Sequence, residues 1–220
     1  MVIDVNWRCE RIGHGGASAL ERANTLESFD AAADVGVDMV EFDVRAWRGE
    51  LVLAHTLLDA HRPTNVRLRD ALAYLSGRRF AGIGLNVDLK HTGVEGRVIE
   101  ALTHAGLLDR TLICSQVASV LDRVRAVEPR ARTGISIGGR VARFSRRWGD
   151  WREHVLDGLA SQRWDALMAQ HRLVDKRLLD DVQERDSLLY AWTVNERRTI
   201  RGLQALGVHG IATADPRLFG

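Results

Sequence analysis

Met39-Val-Glu-Phe-Asp-Val-Arg-Ala-Trp-Arg-Gly-Glu-Leu-Val-Leu-Ala-His55 decides how this chain folds. Its first part, 39–44, is a short run rich in apolar and β-branched residues, of the kind buried on both faces of a parallel sheet. Seven comparable runs occur at 11–14, 83–89, 111–115, 132–137, 166–169, 188–193 and 210–213. Helix-length stretches separate most of them, as at 25–35, 94–105, 117–127, 175–185 and 196–206. Strand, helix, strand repeated this often predicts an α/β fold whose parallel sheet is covered by helices. Eight strands in so short a chain favour a closed (β/α)8 TIM barrel over an open sheet.

The second half of the same stretch breaks the pattern. Only six residues, 45–50, separate 39–44 from a further strand-like run at 51–55, and a parallel crossover needs about a dozen. The two runs are therefore expected to pair antiparallel as an extra hairpin strand outside the parallel set, turning near Arg48-Gly49. Paired positions should then sum to about 97 or 98, which folds His55 back onto the strand carrying Glu41 and Asp43.

Composition narrows the function classes. The chain has 220 residues, 31 basic against 29 acidic, for a net charge of +2, and three prolines, with no linker-like block. One domain over 1–220 is expected, with no electrostatic reason to bind nucleic acid. Two cysteines, Cys9 and Cys114, are too few for a disulfide scaffold and are expected to be buried free thiols. No window approaches the roughly 18 uninterrupted apolar residues a membrane span needs, and residues 1–9 have no apolar run of signal-peptide length, so the expected compartment is the cytoplasm. Of the 31 basic residues only Lys90 and Lys176 are lysines.

Glu41 and Asp43 lie two apart on a strand and so share a face. Asp88 and Lys90 repeat that offset on the next parallel strand. In a barrel, such a face points inward near the carboxyl ends of the strands, where these folds build their active sites. Three converging carboxylates repel unless a cation sits among them, which makes Glu41, Asp43 and Asp88 candidate metal ligands. The plainer alternative is that each acid ends a strand and meets a surface arginine. His14 closes the first strand in Gly13-His-Gly-Gly-Ala17, where glycines such as Gly15 let backbone approach a ligand and offer N–H groups to an anion. A glycine-flanked histidine is by itself more often a turn residue, but the barrel brings His14 and His55 to the acid cluster together. Two imidazoles around one cation suit phosphodiester cleavage, one taking a proton from the attacking hydroxyl and the other giving one to the departing alkoxide. The cation and Lys90 would neutralise the non-bridging oxygens.

Other candidates are weaker. Trp192 offers an apolar wall for the substrate's alcohol portion, or plain barrel core. His91 and His171 follow strand ends and are read as ordinary polar residues. In 140–155, Val141, Phe144, Trp148, Trp151 and Val155 form one apolar helical stripe among Arg140, Arg143, Arg146, Arg147 and Arg152. The stripe is expected to pack on the barrel; exposed beside the site, it would make a weak membrane-surface contact.

Taken in order, Gly13-His-Gly-Gly-Ala-Ser18, Asn24-Thr-Leu-Glu-Ser-Phe29, Gly36-Val-Asp-Met-Val-Glu-Phe-Asp-Val44, Val52-Leu-Ala-His55, Leu85-Asn-Val-Asp-Leu-Lys90, Ala191-Trp-Thr-Val-Asn195 and Gly207-Val-His-Gly-Ile-Ala-Thr-Ala-Asp-Pro216 resemble the glycerophosphodiester phosphodiesterase family over nearly the whole chain. The resemblance implies a (β/α)8 barrel of glycerol and lipid metabolism. It would hydrolyse small glycerophosphodiesters to sn-glycerol 3-phosphate and an alcohol with one divalent cation, Mg2+ or Ca2+. By the same resemblance His14 and His55 match the acid/base pair, Glu41, Asp43 and Asp88 the metal ligands, and Lys90 the phosphate-contacting lysine.

The chain departs from the family pattern at four places. Gly15 stands where members usually carry Arg, Ala23 where a Glu precedes Asn-Thr, Thr56 where an Asp follows the second histidine, and Asp88 where a Glu is usual. The insertion many members carry after the second histidine is also absent, which implies a more open site. Sphingomyelinase D-like phospholipases are similar in sharing a barrel, both histidines and an Asp-Leu-Lys run, and they too lack the Arg. A lysophospholipase D activity on lipid substrates is therefore the alternative enzymatic reading, and a decayed barrel that binds phosphodiesters without cleaving them is the non-enzymatic one.

Overall fold

The computed structural model describes residues 8–138 and 149–220, and the backbone of 146–148. Among the described residues there are nine strands: β1 (Glu10–Gly13), β2 (Met39–Trp47), β3 (Glu50–Leu53), β4 (Gly84–Leu89), β5 (Thr111–Ser115), β6 (Arg132–Ile137), β7 (Ala166–Gln170), β8 (Leu188–Trp192) and β9 (Gly210–Thr213). All except β3 pair parallel, and the pairing of β1 with both β2 and β9 closes eight of them into a barrel. The helices are α1 (Leu26–Val35), α2 (Leu57–Ala60), α3 (Leu68–Leu75), α4 (Glu95–His104), α5 (Ala118–Val127), α6 (Arg146–Ala160), α7 (Lys176–Gln183) and α8 (Arg197–Leu206).

The expected hairpin is present, and β3 is its outer strand. Val44 pairs with Leu53 and Trp47 with Glu50, the first of the two registers the sequence allowed. Arg48 (φ 49°) and Gly49 (φ 82°) form the turn, both in the left-handed region that a two-residue turn of this hand requires. Two helices, the four-residue α2 and the longer α3, were not anticipated. α3 supplies the return crossover from β3 to β4, and it buries Leu68, Ala71, Leu72 and Leu75 on one stripe.

Alternation along the strands divides the core. Ile12, Met39, Leu112, Cys114, Ala166, Met168, Tyr190 and Ala212 fill the barrel. Val40, Phe42, Val44, Leu85, Val87 and Leu89 face outward under the helices. Phe42 is fully buried with its ring 5.6 Å from that of Phe29 on α1, so truncating it would cost about 3–5 kcal/mol. α1 starts at a capping box between Thr25 and Ser28 and ends at Gly36 in the left-handed conformation, which fixes the loop that carries His14 and Asn24 to the helix behind it.

Both cysteines are free thiols. Cys114 is buried, but Cys9 is only half-buried, because it precedes β1 at the rim of the barrel. No helix among the described residues is long and apolar enough to cross a membrane. Of the 140–155 stripe, Val141 and Phe144 and the side chain of Trp148 lie outside the described residues, as do Arg140, Arg143 and the side chains of Arg146 and Arg147. At its described end Val155 is buried, Trp151 is exposed, and Arg152 is ion-paired with Asp181 of α7.

Candidate active site

Register assembles the acids. Glu41 pairs with Asn86 and Asp43 with Asp88 across β2 and β4, and since Met39 points into the barrel, Glu41 and Asp43 do too. One carboxylate oxygen from each of Glu41, Asp43 and Asp88 falls within a 4.8 Å cluster. Lys90 continues the inward face of β4, and its Nζ donates to Asp43 Oδ1 at 2.7 Å and to Asp88 Oδ2 at 2.6 Å.

The histidines come from two different loops. His14 follows β1, its backbone N–H donating to the Thr213 carbonyl at 2.9 Å. His55 follows the hairpin strand, where the Ala54 N–H still donates to the Asp43 carbonyl and the imidazole Nδ1 lies 3.2 Å from Asp43 Oδ2. The His55 side chain is 58% exposed and that of Asp43 only 4%, so a buried carboxylate holds an imidazole whose far nitrogen faces the opening. His14 and His55 line one pocket with Glu41, Asp88 and Lys90.

Asn24 fixes Asp43 from the other side, a role for which the sequence offered no spacing signal across 19 residues. Its Nδ2 donates to Asp43 Oδ2 at 2.9 Å, and its Oδ1 accepts the Asp43 backbone N–H at 3.0 Å. The Gly15 N–H donates to Glu41 Oε2 at 2.6 Å, so the anion it meets here is the protein's own carboxylate. Gly16 follows with φ 81°, and a Cβ there would sit 2.4 Å from Ser28 Oγ and 2.6 Å from the Ser28 carbonyl, so only glycine lets this loop lie against α1.

The electrostatics of the cluster are strained. Burial pushes the Glu41 carboxyl well above the usual range, with the Asp43 charge adding to it. Asp88 is also raised by burial. Burial pushes Asp43 up too, yet its hydrogen bond with His55 and the Lys90 ammonium together hold it below ordinary carboxylates. Burial opposes the Lys90 charge, but the three acids outweigh it and raise its pKa. The two imidazoles are displaced in opposite directions, His14 downward by burial and His55 upward by its hydrogen bond to Asp43.

The residues present suit a hard divalent cation. All three donors are carboxylates, and Asp88 Oδ1 is buried with no hydrogen-bond partner among the described residues. Such an orphaned buried oxygen costs about 1–3 kcal/mol unless something satisfies it. Trp192 stands at the wall of the same pocket, its Nε1 donating to the Met168 carbonyl at 2.9 Å. Asn86, Cys114, Gln116, Ser136, Met168 and Ala212 complete the lining, and the sequence marked none of them as a site residue. His91 lies elsewhere: its Nε2 accepts the Ala46 N–H at 3.0 Å and ties the hairpin to the end of β4.

Comparison with known proteins places this geometry. The model of the glycerophosphoryl diester phosphodiesterase family matches residues 14–70 and 90–218. The chain belongs to that family. With it, the protein is a phosphodiester hydrolase by class. It is 24% identical to the putative glycerophosphodiester phosphodiesterase YhdW of Bacillus subtilis, over 93% of this chain and 94% of that one. In fold it is similar to the putative glycerophosphoryl diester phosphodiesterase of Silicibacter pomeroyi, with a TM-score of 0.83 at 19% identity over 97% and 92% of the two chains. It is also similar to an Oleispira antarctica phosphodiesterase solved in complex with the product sn-glycerol-3-phosphate, with a TM-score of 0.72 at 21% identity over 94% of each.

Proposed function

We propose that this protein hydrolyses glycerophosphodiesters to sn-glycerol 3-phosphate and an alcohol, with Glu41, Asp43 and Asp88 holding one divalent cation, Mg2+ or Ca2+, and with His14 and His55 as the acid/base pair. The observation that carries this reading is the convergence of three carboxylates within 4.8 Å in the pocket that both imidazoles line. The product bound in the Oleispira antarctica relative has the glycerol arm this reading assigns to the substrate. When bound, the cation supplies Lewis-acid neutralisation of the phosphoryl oxygens.

The chain's own residues do the rest. One imidazole removes a proton from the nucleophile, water or the substrate's 2-hydroxyl; on the second route a cyclic phosphate forms and a water then opens it to the monoester. The other delivers a proton to the alkoxide leaving phosphorus. Asp43 and Asn24 hold the His55 ring in place, and Lys90 is proposed to contact a non-bridging phosphate oxygen. Trp192 is proposed to face the substrate's alcohol portion. Gly15 contributes through its backbone N–H, which holds Glu41 in place, and a Cβ there would meet that of Ala23 at 2.9 Å. The reading takes 1–220 as one domain working in glycerol and lipid turnover in the cytoplasm.

One observation favours the lipid-directed alternative. Leu57 and Leu58, immediately beyond His55 and Thr56, are 61% and 82% exposed. Apolar side chains held in water beside a site suit an acyl chain or a bilayer surface. A panel of glycerophosphocholine, glycerophosphoethanolamine, lysophosphatidylcholine and sphingomyelin, assayed with added Mg2+ or Ca2+, separates the two. Turnover confined to the water-soluble diesters supports the first reading, and preference for the lipids replaces it with the second.

A further inference from the structure

Two lobes meet at His55, Asp88, Lys90 and Gln116. One is the pocket already described, closed on its far side by Met168, Trp192 and Ala212, with room for about 60 Å³. The other is an open groove of about 250 Å³ over the end of β4, flanked by Arg45 of β2 and by Ser115 and Val117 at the end of β5. A phosphodiester bound at the shared residues sends one arm into each. The glycerol arm is common to every glycerophosphodiester and small enough for the narrow lobe. The variable head group then falls in the groove.

Arg45 gives that groove a chemical preference. It is the next residue after Glu41 and Asp43 on the inward face of β2, so its side chain rises from the same row at the mouth of the barrel. Its Nε donates to the His55 carbonyl at 3.0 Å, which anchors the guanidinium beside the site, and among the described residues this is its one hydrogen bond. The Nη donors remain for a ligand. Across the groove Gln116 is exposed and offers both a donor and an acceptor, whereas Ser115 Oγ is engaged, donating to the Leu89 carbonyl. Among the described residues no Phe, Tyr or Trp lines this lobe, and its one ring, the His55 imidazole, is held against Asp43. A quaternary ammonium is ordinarily held by aromatic faces and would here meet a guanidinium. Hydroxyl oxygens, by contrast, match the Arg45 and Gln116 donors.

We propose that Arg45 is a specificity-determining residue and that the groove it lines takes a polyol head group, such as inositol, in preference to choline. This rests on the hydrolysis proposed above and goes beyond it by naming the head-group class. The test is the ratio of kcat/KM for glycerophosphoinositol to that for glycerophosphocholine, with Mg2+ or Ca2+, in the wild type and in Arg45→Gln and Arg45→Glu. A ratio within one protein sample is insensitive to any misfolded fraction. We expect the wild type to favour the inositol diester by tenfold or more. Arg45→Gln should lower the ratio about tenfold, the effect of one charge-assisted hydrogen bond together with one relieved repulsion, and Arg45→Glu should lower it further. Dissociation constants of the two diesters for His14→Ala should show the same preference without turnover. Equal losses on both diesters would mean that Arg45 contacts the shared phosphate, and this would overturn the head-group assignment while leaving the hydrolysis intact. A wild type that favours choline would do the same. No turnover of either diester with either metal would overturn the hydrolysis and the assignment together.

Discussion

Asn24 offers the sharpest test of how the site is held. The residue is buried with its backbone at φ 63°, and its side chain makes two hydrogen bonds to Asp43. The one to the carboxylate is charge-assisted, at about 1.5–3 kcal/mol, and the one from the Asp43 backbone N–H contributes about 0.5–1.5 kcal/mol. Asn24→Gly keeps the left-handed backbone available and removes both bonds, so it should destabilise the protein by roughly 2–4 kcal/mol. Asn24→Ala adds the cost of a Cβ in that conformation, about 1 kcal/mol more. For a chain of this size, 2–4 kcal/mol corresponds to a fall in Tm of roughly 5–15 °C. Asn24→Asp preserves shape but places an acceptor against Asp43 Oδ2, and it should be at least as damaging as glycine. Thermal and denaturant unfolding in EDTA isolates the protein's own contribution from that of any cation. In the metal-supplemented enzyme, the glycine variant should lose about tenfold in kcat with little change in KM, because His55 is then oriented by a carboxylate that has lost its support on the Asn24 side. A glycine variant within 0.5 kcal/mol of wild type would refute the claim that these bonds hold Asp43 in place.

Four further outcomes follow from the same structure. His14→Ala and His55→Ala should each lose on the order of a hundredfold or more in kcat while their far-ultraviolet spectra and Tm stay near wild type; unchanged turnover in both discards the acid/base pair. Mg2+ or Ca2+ at about a hundred times its dissociation constant should stabilise the protein by about 2.7 kcal/mol, and Asp88→Asn should remove most of that gain; a Tm indifferent to both metals leaves the three acids without a role. Gly16→Ala should cost about 2 kcal/mol or more in denaturant unfolding, since its Cβ meets Ser28 and its φ is left-handed; a neutral effect would contradict the packing. Burial lowers the His209 imidazole to about 4, and its Nδ1 accepts the Leu189 N–H at 3.0 Å. Its neutral form is therefore the native one, so its contribution is complete above the unfolded value of about 6.5 and is lost as pH falls toward 4. Wild-type stability should drop more steeply than that of His209→Gln between pH 7 and 4.5, and parallel curves would sink the point.

Much of the barrel was legible because its information is local. Runs apolar on both faces marked the eight barrel strands to within a few residues, and the six-residue gap at 45–50 dictated an antiparallel partner. The stripe Leu68, Ala71, Leu72, Leu75 carried a helical period as well, yet it follows a hairpin rather than a strand of the parallel set and so fell outside the alternation used to find the others. In the site, period-two spacing delivered Glu41 with Asp43 and Asp88 with Lys90, and the same rule applied once more reaches Arg45. Asn24 stood in a motif of the family without a role, and Gln116 and Met168 were not legible. Each arrives from a separate element through the closure of the barrel, and no local spacing ties it to the acids. The Gly15 N–H shows the converse: glycine marked a backbone open to an anion, but only the fold could show that Glu41 is the anion it meets.

The central claim is that three buried acids and two imidazoles cleave a glycerol-bearing phosphodiester on its head-group side. Following the purified chain with glycerophosphocholine by 31P NMR tests it most directly. With Mg2+ or Ca2+ the diester resonance should be replaced by that of sn-glycerol 3-phosphate, and both EDTA and His14→Ala should stop the conversion. Phosphate appearing on choline instead, or conversion that proceeds unchanged in EDTA, would contradict it.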